Sequence, residues 1–174
     1  RGLGDVYKRQ VMPTVDLNKQ FWNKDYAWPL YGDEFSKPWG GTEMMWLGMM
    51  LPRIRSFLPV EGILEIAPGQ GRWTQYLKDQ CKRMWVVDLS ESCIETCKRR
   101  FASESHIQYF ANDGYSLDMI PDHSIDFIFS FDSLVHAEAD VLRSYILQSA
   151  KKLTSNGVGF IHHSNLGSYP RMLK

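Results

Sequence analysis

ILEIAPGQGRWTQYL, residues 63–77, is the stretch from which the rest of the chain is read. It predicts a short apolar strand over residues 62–67, a tight turn over 68–71 and a helix over 72–80. The turn carries Gly69 and Gly71. Glycine suits positions where a backbone takes positive φ or lies against a ligand, and a helix N-terminus offers unpaired N–H groups. Strand, glycine turn and helix in that order describe a cradle for a nucleotide-type cofactor at the start of a βαβ unit. A plain connecting turn gives the same pattern, so the neighbouring sequence has to discriminate.

Nineteen residues after Gly69 a second apolar run, 84–87, ends in Asp88. A carboxylate at the tip of the second strand can accept both hydrogen bonds of a ribose diol. NAD(P) enzymes and S-adenosylmethionine methyltransferases both need that group.

Strand and helix alternate through the remainder. Ser90 is placed to cap a helix over residues 91–101, with Ile94, Cys97 and Phe101 on one face. A third strand is expected over 106–110, followed by Asn112, Asp113 and Gly114, then a turn or short helix over 115–120. The run IDFIFSF, 125–131, is apolar enough for the centre of a parallel sheet. A helix over 138–153, stopped by Ser155, Asn156 and Gly157, leads to a fifth strand over 158–163. The expected fold is a doubly wound, Rossmann-like α/β domain with five parallel strands in view.

Upstream, residues 43–57 predict a helix with Thr42 as N-cap and Pro52 as an interruption. Before it, residues 11–41 are aromatic and irregular, with Phe21, Trp22, Tyr26, Trp28, Tyr31, Phe35 and Trp39 among prolines and glycines. They fit a lid over cofactor or acceptor, and equally a segment pinned to the core by its rings. Residues 1–10, RGLGDVYKRQ, match nothing downstream and read as a non-native or disordered tail, similar to a translated sequencing adapter. The domain proper is placed at 42–174.

Composition narrows the function. Residues 1–10 hold three of the 20 basic and one of the 20 acidic residues, so the remainder carries a net charge of −2, no footprint for nucleic acid. No apolar run reaches the length of a membrane span and no secretory leader is visible. Cys81, Cys93 and Cys97 lack metal-ligand spacing and read as reduced thiols of a cytoplasmic protein.

Taken together, Glu65, Ala67, Gly69 and Gly71, then Asp88, Asp113 and PDHSIDFIFSFDSLVH (residues 121–136), resemble the class I S-adenosylmethionine (SAM) dependent methyltransferases. The likeness is greatest to the small-molecule branch and spans residues 42–165. Ala67 stands where that family's motif has its first glycine. The resemblance implies S-adenosylmethionine as cofactor, held by Glu65, Ala67, Gly69, Gly71, Asp88, Leu89, Asp113, Gly114 and Phe131. Asp88 would take the ribose hydroxyls and Asp113 the adenine amino group. The family's sheet has seven strands, so the last two are expected to be missing here. Gly71-Arg72-Trp73 is similar to methyltransferases of sugar and polysaccharide biosynthesis.

The implied function is methyl transfer to a small-molecule acceptor, foremost a sugar-type hydroxyl. Chemistry in such sheets lies beyond the strands' carboxyl ends. Asp132, Ser133 and His136 follow the fourth strand there, and His162, His163 and Asn165 the fifth. His136, matching the family's histidine, is the expected general base, with Asp132 beside it. No metal is expected, since magnesium usually wants two carboxylates and one is obvious. Arg72 could pair with the cofactor's carboxylate, and Trp39 and Trp73 could stack on cofactor or acceptor. Two alternatives stand. An NAD(P)-dependent oxidoreductase or epimerase would want a glycine where Thr74 is, and an inactive SAM-binding module would keep the fold without turnover.

Overall fold

A computed structural model describes residues 13–164. The tail at 1–10 and Asn165 lie outside the described residues. Five strands form one sheet: β1 (Val60–Ile66), β2 (Cys81–Asp88), β3 (Ile107–Ala111), β4 (Ile125–Ser130) and β5 (Leu153–Ile161). Their order is β3-β2-β1-β4-β5 and every pairing is parallel. The doubly wound parallel α/β fold expected from the sequence is the fold observed. Strand order reverses between β1 and β4, which places a crevice at the carboxyl ends of those two strands.

Both faces of the sheet are covered, as near-continuous apolar strands require. On one face Ile63, Met84, Val86, Phe127 and Phe129 pack with Met50, Ile54, Leu77, Cys97 and Phe101. On the other Leu64, Ile66, Trp85, Val87 and Ile128 pack with Leu117, Ile120, Val141 and Tyr145.

The chain enters through α1 (Val15–Gln20), whose first turn is capped by the Thr14 hydroxyl accepting from the Leu17 N–H at 3.4 Å. A π turn (Phe21–Asp25) and a 3-10 turn (Asp33–Trp39) follow. The helix expected over 43–57 is present as a broken run: α2 (Thr42–Met45), a π turn (Trp46–Met50), α3 (Leu51–Ile54) and a 3-10 turn (Arg55–Phe57). Pro52 has no N–H to give Gly48, and the ladder is reset one residue earlier, where the Leu51 N–H reaches the Trp46 carbonyl. Thr42 is not the cap. It is the first residue of α2, and its hydroxyl donates to Asp33 Oδ1 at 2.9 Å.

The helix expected over 72–80 shrinks to α4 (Thr74–Leu77) and a 3-10 turn (Lys78–Gln80), because the positive φ of Gly71 keeps the chain turning past residue 71. α5 (Glu91–Arg100) starts where expected, with the Ser90 hydroxyl accepting from the Cys93 N–H at 3.2 Å. α6 (Ala139–Lys152) ends at Lys152, earlier than expected. Leu153 is already extended, and Ser155, Asn156 and Gly157 lie within β5 as a bulge. The register shows it: Ile125 faces Leu153, whereas Phe127 faces Val158. Among the described residues no helix is long and apolar enough to cross a membrane.

Candidate functional site

The turn after β1 is held open by three positive φ values, at Ala67 (57°), Gly69 (58°) and Gly71 (90°). The Ala67 N–H donates to the Val87 carbonyl at 2.7 Å, so β1 and β2 stay paired up to the bend. From behind, α5 grips the turn: Cys97 Sγ donates to the Gly69 carbonyl and Arg100 Nη1 to the Gln70 carbonyl, at 3.3 and 3.0 Å. Alanine at 67 tolerates a left-handed backbone at roughly 1 kcal/mol against glycine. Ala67→Gly is therefore expected to leave the fold intact and raise stability by up to about 1 kcal/mol, less the added unfolded-state entropy. Urea unfolding checks this.

Asp88 sits at the tip of β2 and braces the same turn. Its Oδ2 accepts from the Gly69 N–H at 3.0 Å and its Oδ1 from the Ser90 N–H at 2.8 Å. Burial pushes the carboxyl up to about 6, against the pull of these backbone donors. Leu89, half-buried, lies between Asp88 and Ser90.

Glu65 is buried on the α4 side of β1, where Oε2 accepts from the Thr74 hydroxyl at 2.6 Å. Its Oε1 has no partner among the described residues. Burial pushes this carboxyl up to about 8, the Thr74 bond opposing. The folded chain thus keeps a proton that the unfolded chain loses above its ordinary 4.5, and stability falls as pH rises from there through about 8. Asp88 adds the same sign between 3.8 and about 6. The loss through Glu65 is on the order of a few kcal/mol. Thermal unfolding across this range should show the decline, and Glu65→Gln should flatten its alkaline part.

At the end of β3, Asp113 is exposed and turned into its own loop. Its Oδ1 accepts from the N–H groups of Tyr115 and Ser116 at 2.8 and 2.7 Å, which holds its carboxyl below the usual range. Gly114, at φ 86°, gives room to the Val15 side chain. Phe131, past β4, stacks on His162 and lies perpendicular to the Trp73 ring.

The acceptor-side residues divide. Asp132, itself at φ 65°, pairs through Oδ2 with Arg72 Nη2 at 2.8 Å and lies 3.3 Å through Oδ1 from His162 Nδ1. Ser133 donates to the Ala67 carbonyl at 2.6 Å, tying the end of β4 to the glycine turn. His136 is part-buried, with its carbonyl accepting from Asn18 at 3.0 Å and its ring 5.7 Å from that of Trp22. Burial lowers its pKa, so the imidazole is neutral at physiological pH. His163 is exposed and reaches the Ser164 carbonyl. Trp39 is 61% exposed and Trp73 is a core residue, which leaves neither placed as a stacking platform in this conformation.

Sequence reasoning missed the Arg72–Asp132 pair and the path of the entering chain. Residues 15–36 run across the carboxyl ends of the strands. Val15 meets Gly114, and Asn23 accepts from the Ser90 hydroxyl and the Ser92 N–H, both at 3.0 Å. The Trp28 indole lies on the Gly69 backbone so closely that an added Cβ would stand 2.5 Å from it. Ser36 receives a hydrogen bond from Arg72 Nη1 at 3.4 Å. The aromatic segment is thus packed through its rings, and packed over the crevice itself. Only the density of aromatics marked it in the sequence. Among the described residues no three or more His, Cys, Asp or Glu side chains converge as metal ligands would.

A family profile described as methyltransferase domain matches residues 63–157, more than half of the chain. The chain belongs to the methyltransferase domain family. Among curated proteins none matches this methyltransferase domain in sequence. Solved structures share its fold. The phosphoethanolamine N-methyltransferase 1 of Haemonchus contortus, in complex with phosphoethanolamine and S-adenosylhomocysteine, is 20% identical with a TM-score of 0.66, over 92% of this chain and 32% of its own. A SAM-dependent methyltransferase of Leishmania major gives 16% and 0.68, over 86% and 60%. The N-methyltransferase NodS of Bradyrhizobium japonicum, with S-adenosylhomocysteine bound, gives 23% and 0.58, over 66% and 58%. The methyltransferase domain described here thus spans from about a third to three-fifths of the length of these three proteins.

Proposed function

We propose that this domain binds S-adenosylmethionine over the β1–β2 end of the crevice and transfers its methyl group to a small-molecule acceptor, foremost a sugar-type hydroxyl. One observation carries the reading. Asp88, at the tip of β2, is fixed beside the glycine turn by the Gly69 and Ser90 N–H groups, one on each carboxylate oxygen. Each carboxylate oxygen accepts more than one bond, and a ribose diol needs two acceptors. The residues present fit the cofactor: the bare Gly69 backbone lets a flat ring lie against it, and Trp28 takes that place in the observed conformation. Glu65, Ala67, Gly71, Leu89, Asp113, Gly114 and Phe131 complete the proposed cofactor set, Asp113 and Glu65 after releasing or supplementing their present bonds. An oxidoreductase reading is disfavoured by Thr74, whose buried hydroxyl is spent on Glu65 where a dinucleotide fold wants a bare glycine.

Residues 11–41 are proposed as the lid of the site, and Asp132 and His136 as its acceptor side. The cofactor supplies a methyl group on a sulfonium. The chain's residues align the acceptor, exclude water and receive a proton. The three cysteines are free thiols, which supports a reducing, cytoplasmic setting. Calorimetric titration with S-adenosylhomocysteine, with NAD⁺ as parallel ligand, tests the reading. Binding of the first and not the second is expected. A folded chain that binds NAD⁺ alone, or neither, overturns it.

A further inference from the structure

We infer that the Trp28 indole is an internal plug of the cofactor crevice, which occupies the glycine turn and has to withdraw before S-adenosylmethionine enters. The inference rests on the cofactor binding proposed above and adds a gate to that site.

The entering chain already meets three points of the crevice. At Gly69 an added Cβ would stand 2.5 Å from Trp28 Cη2 and 2.8 Å from Cζ3, so the six-membered part of the indole rests on the turn. At Gly114 an added Cβ would stand 2.8 Å from Val15 Cγ1. Next to Asp88, Asn23 Oδ1 accepts from the Ser90 hydroxyl and the Ser92 N–H, and the Ser92 hydroxyl donates back to the Asn23 carbonyl at 3.1 Å. Close-packed atoms do not share volume, so a ligand ring on Gly69 and the Trp28 ring in this position exclude one another.

The plugged conformation is strained. Trp28 has φ 49°, a left-handed value that a bulky residue rarely takes, and it directly precedes Pro29, before which extended backbone is preferred. Tyr31 is also left-handed, at 56°. A small set of bonds opposes that strain. Trp28 Nε1 donates to the Trp22 carbonyl at 3.1 Å, and the ring stands edge to face with those of Tyr26 and Phe35. Glu34 clamps the loop from the other side: Oε1 accepts from the Tyr26 hydroxyl at 3.0 Å, and Oε2 from the Leu30 and Gly32 N–H groups at 3.2 and 3.0 Å.

From Asp33 onward the chain is tied to the domain instead. Asp33 Oδ1 accepts from the Thr42 hydroxyl at 2.9 Å and from Gln75 Nε2 at 3.3 Å, and Ser36 accepts from Arg72. Gly32, at φ 95°, stands at the boundary, where a hinge would let the chain before it swing while the chain after it stays. A ligand that needs the withdrawn state draws the population toward it, and its apparent affinity falls by the fraction of chains that are plugged. A plug and a closing lid therefore differ in sign: removing a plug tightens binding, and removing a lid's contact weakens it.

Calorimetric titration with S-adenosylhomocysteine compares the wild type with Trp28→Ala, thermal unfolding showing that each is folded. With the withdrawn state populated at about 1–10%, Trp28→Ala is expected to bind about 10–100-fold tighter. Glu34→Ala, which keeps the ring and removes its clamp, is expected to shift affinity the same way by less. In chains labelled with 5-fluorotryptophan, the Trp28 fluorine resonance, assigned by its absence from Trp28→Ala, should move to a solvent-exposed position when S-adenosylhomocysteine is added. If the wild type binds and both variants bind no tighter, or if the Trp28 resonance stays in place in the complex, the plug is refuted while the proposed cofactor stands. If only the variants bind, the plug is established in its strongest form. If no chain binds, the proposed function fails and the plug falls with it.

Discussion

Asp88→Ala is expected to weaken S-adenosylhomocysteine binding more than about a hundredfold, which corresponds to about 2.7 kcal/mol. The carboxylate would lose two roles together. It would no longer accept from the ribose hydroxyls, where hydrogen bonds to a charged group are worth about 1.5–3 kcal/mol each. It would also release the Gly69 and Ser90 N–H groups, which it holds at 3.0 and 2.8 Å, and the glycine turn would lose its brace. Calorimetry on the wild type and the variant measures the change, with thermal unfolding to show that the variant is folded. Asp88→Asn separates the roles, since its amide keeps one acceptor oxygen and loses the charge. Because burial pushes the carboxyl up to about 6, binding to the wild type should weaken as pH falls through that value. A folded Asp88→Ala chain that binds S-adenosylhomocysteine as tightly as wild type would remove the basis of the proposed function.

Gly71→Ala is expected to destabilise the fold by about 3 kcal/mol, with a fall in Tm of roughly 6–12 °C for a domain of this size. Two effects add. At φ 90° an L side chain is strained by the backbone alone. The added Cβ would also stand 2.5 Å from Phe101 Cε2 and 3.4 Å from Cys97 Sγ. Neither neighbour can yield freely, because Phe101 and Cys97 are buried in the cluster under the sheet. Gly48 is the internal comparison. It lies at an exposed position of the π turn, where an added Cβ meets nothing within 4 Å, and alanine there should be tolerated. Equal stability of Gly71→Ala and the wild type in a thermal melt would contradict the packing described.

Much of the fold was legible because its determinants are local. The run of Val86, Val87 and Asp88, the glycine turn and the Ser90 cap each declare themselves within a few residues. The five strands follow from apolar runs that a sheet covered on both faces requires. Boundaries moved where a single residue changed the ladder. Pro52 shifted it by one residue into a π turn, Gly71 delayed α4, and Ser155, Asn156 and Gly157 became a bulge in β5. A stop signal and a bulge draw on the same small and polar residues, and only the facing strand tells them apart.

By itself the sequence determined the βα order, the carboxylate at the tip of β2 and the family resemblance, since each depends on residue type at a fixed spacing along one chain. The tertiary structure decided what those residues touch. That Arg72 grips Asp132, that Asp132 turns to His162, and that Trp28 lies on Gly69 are contacts between residues 30 to 60 positions apart, set by how helices and strands pack. Side-chain partners across such separations are fixed by close packing and by the need of buried charges to find one another, and neither leaves a period in the sequence.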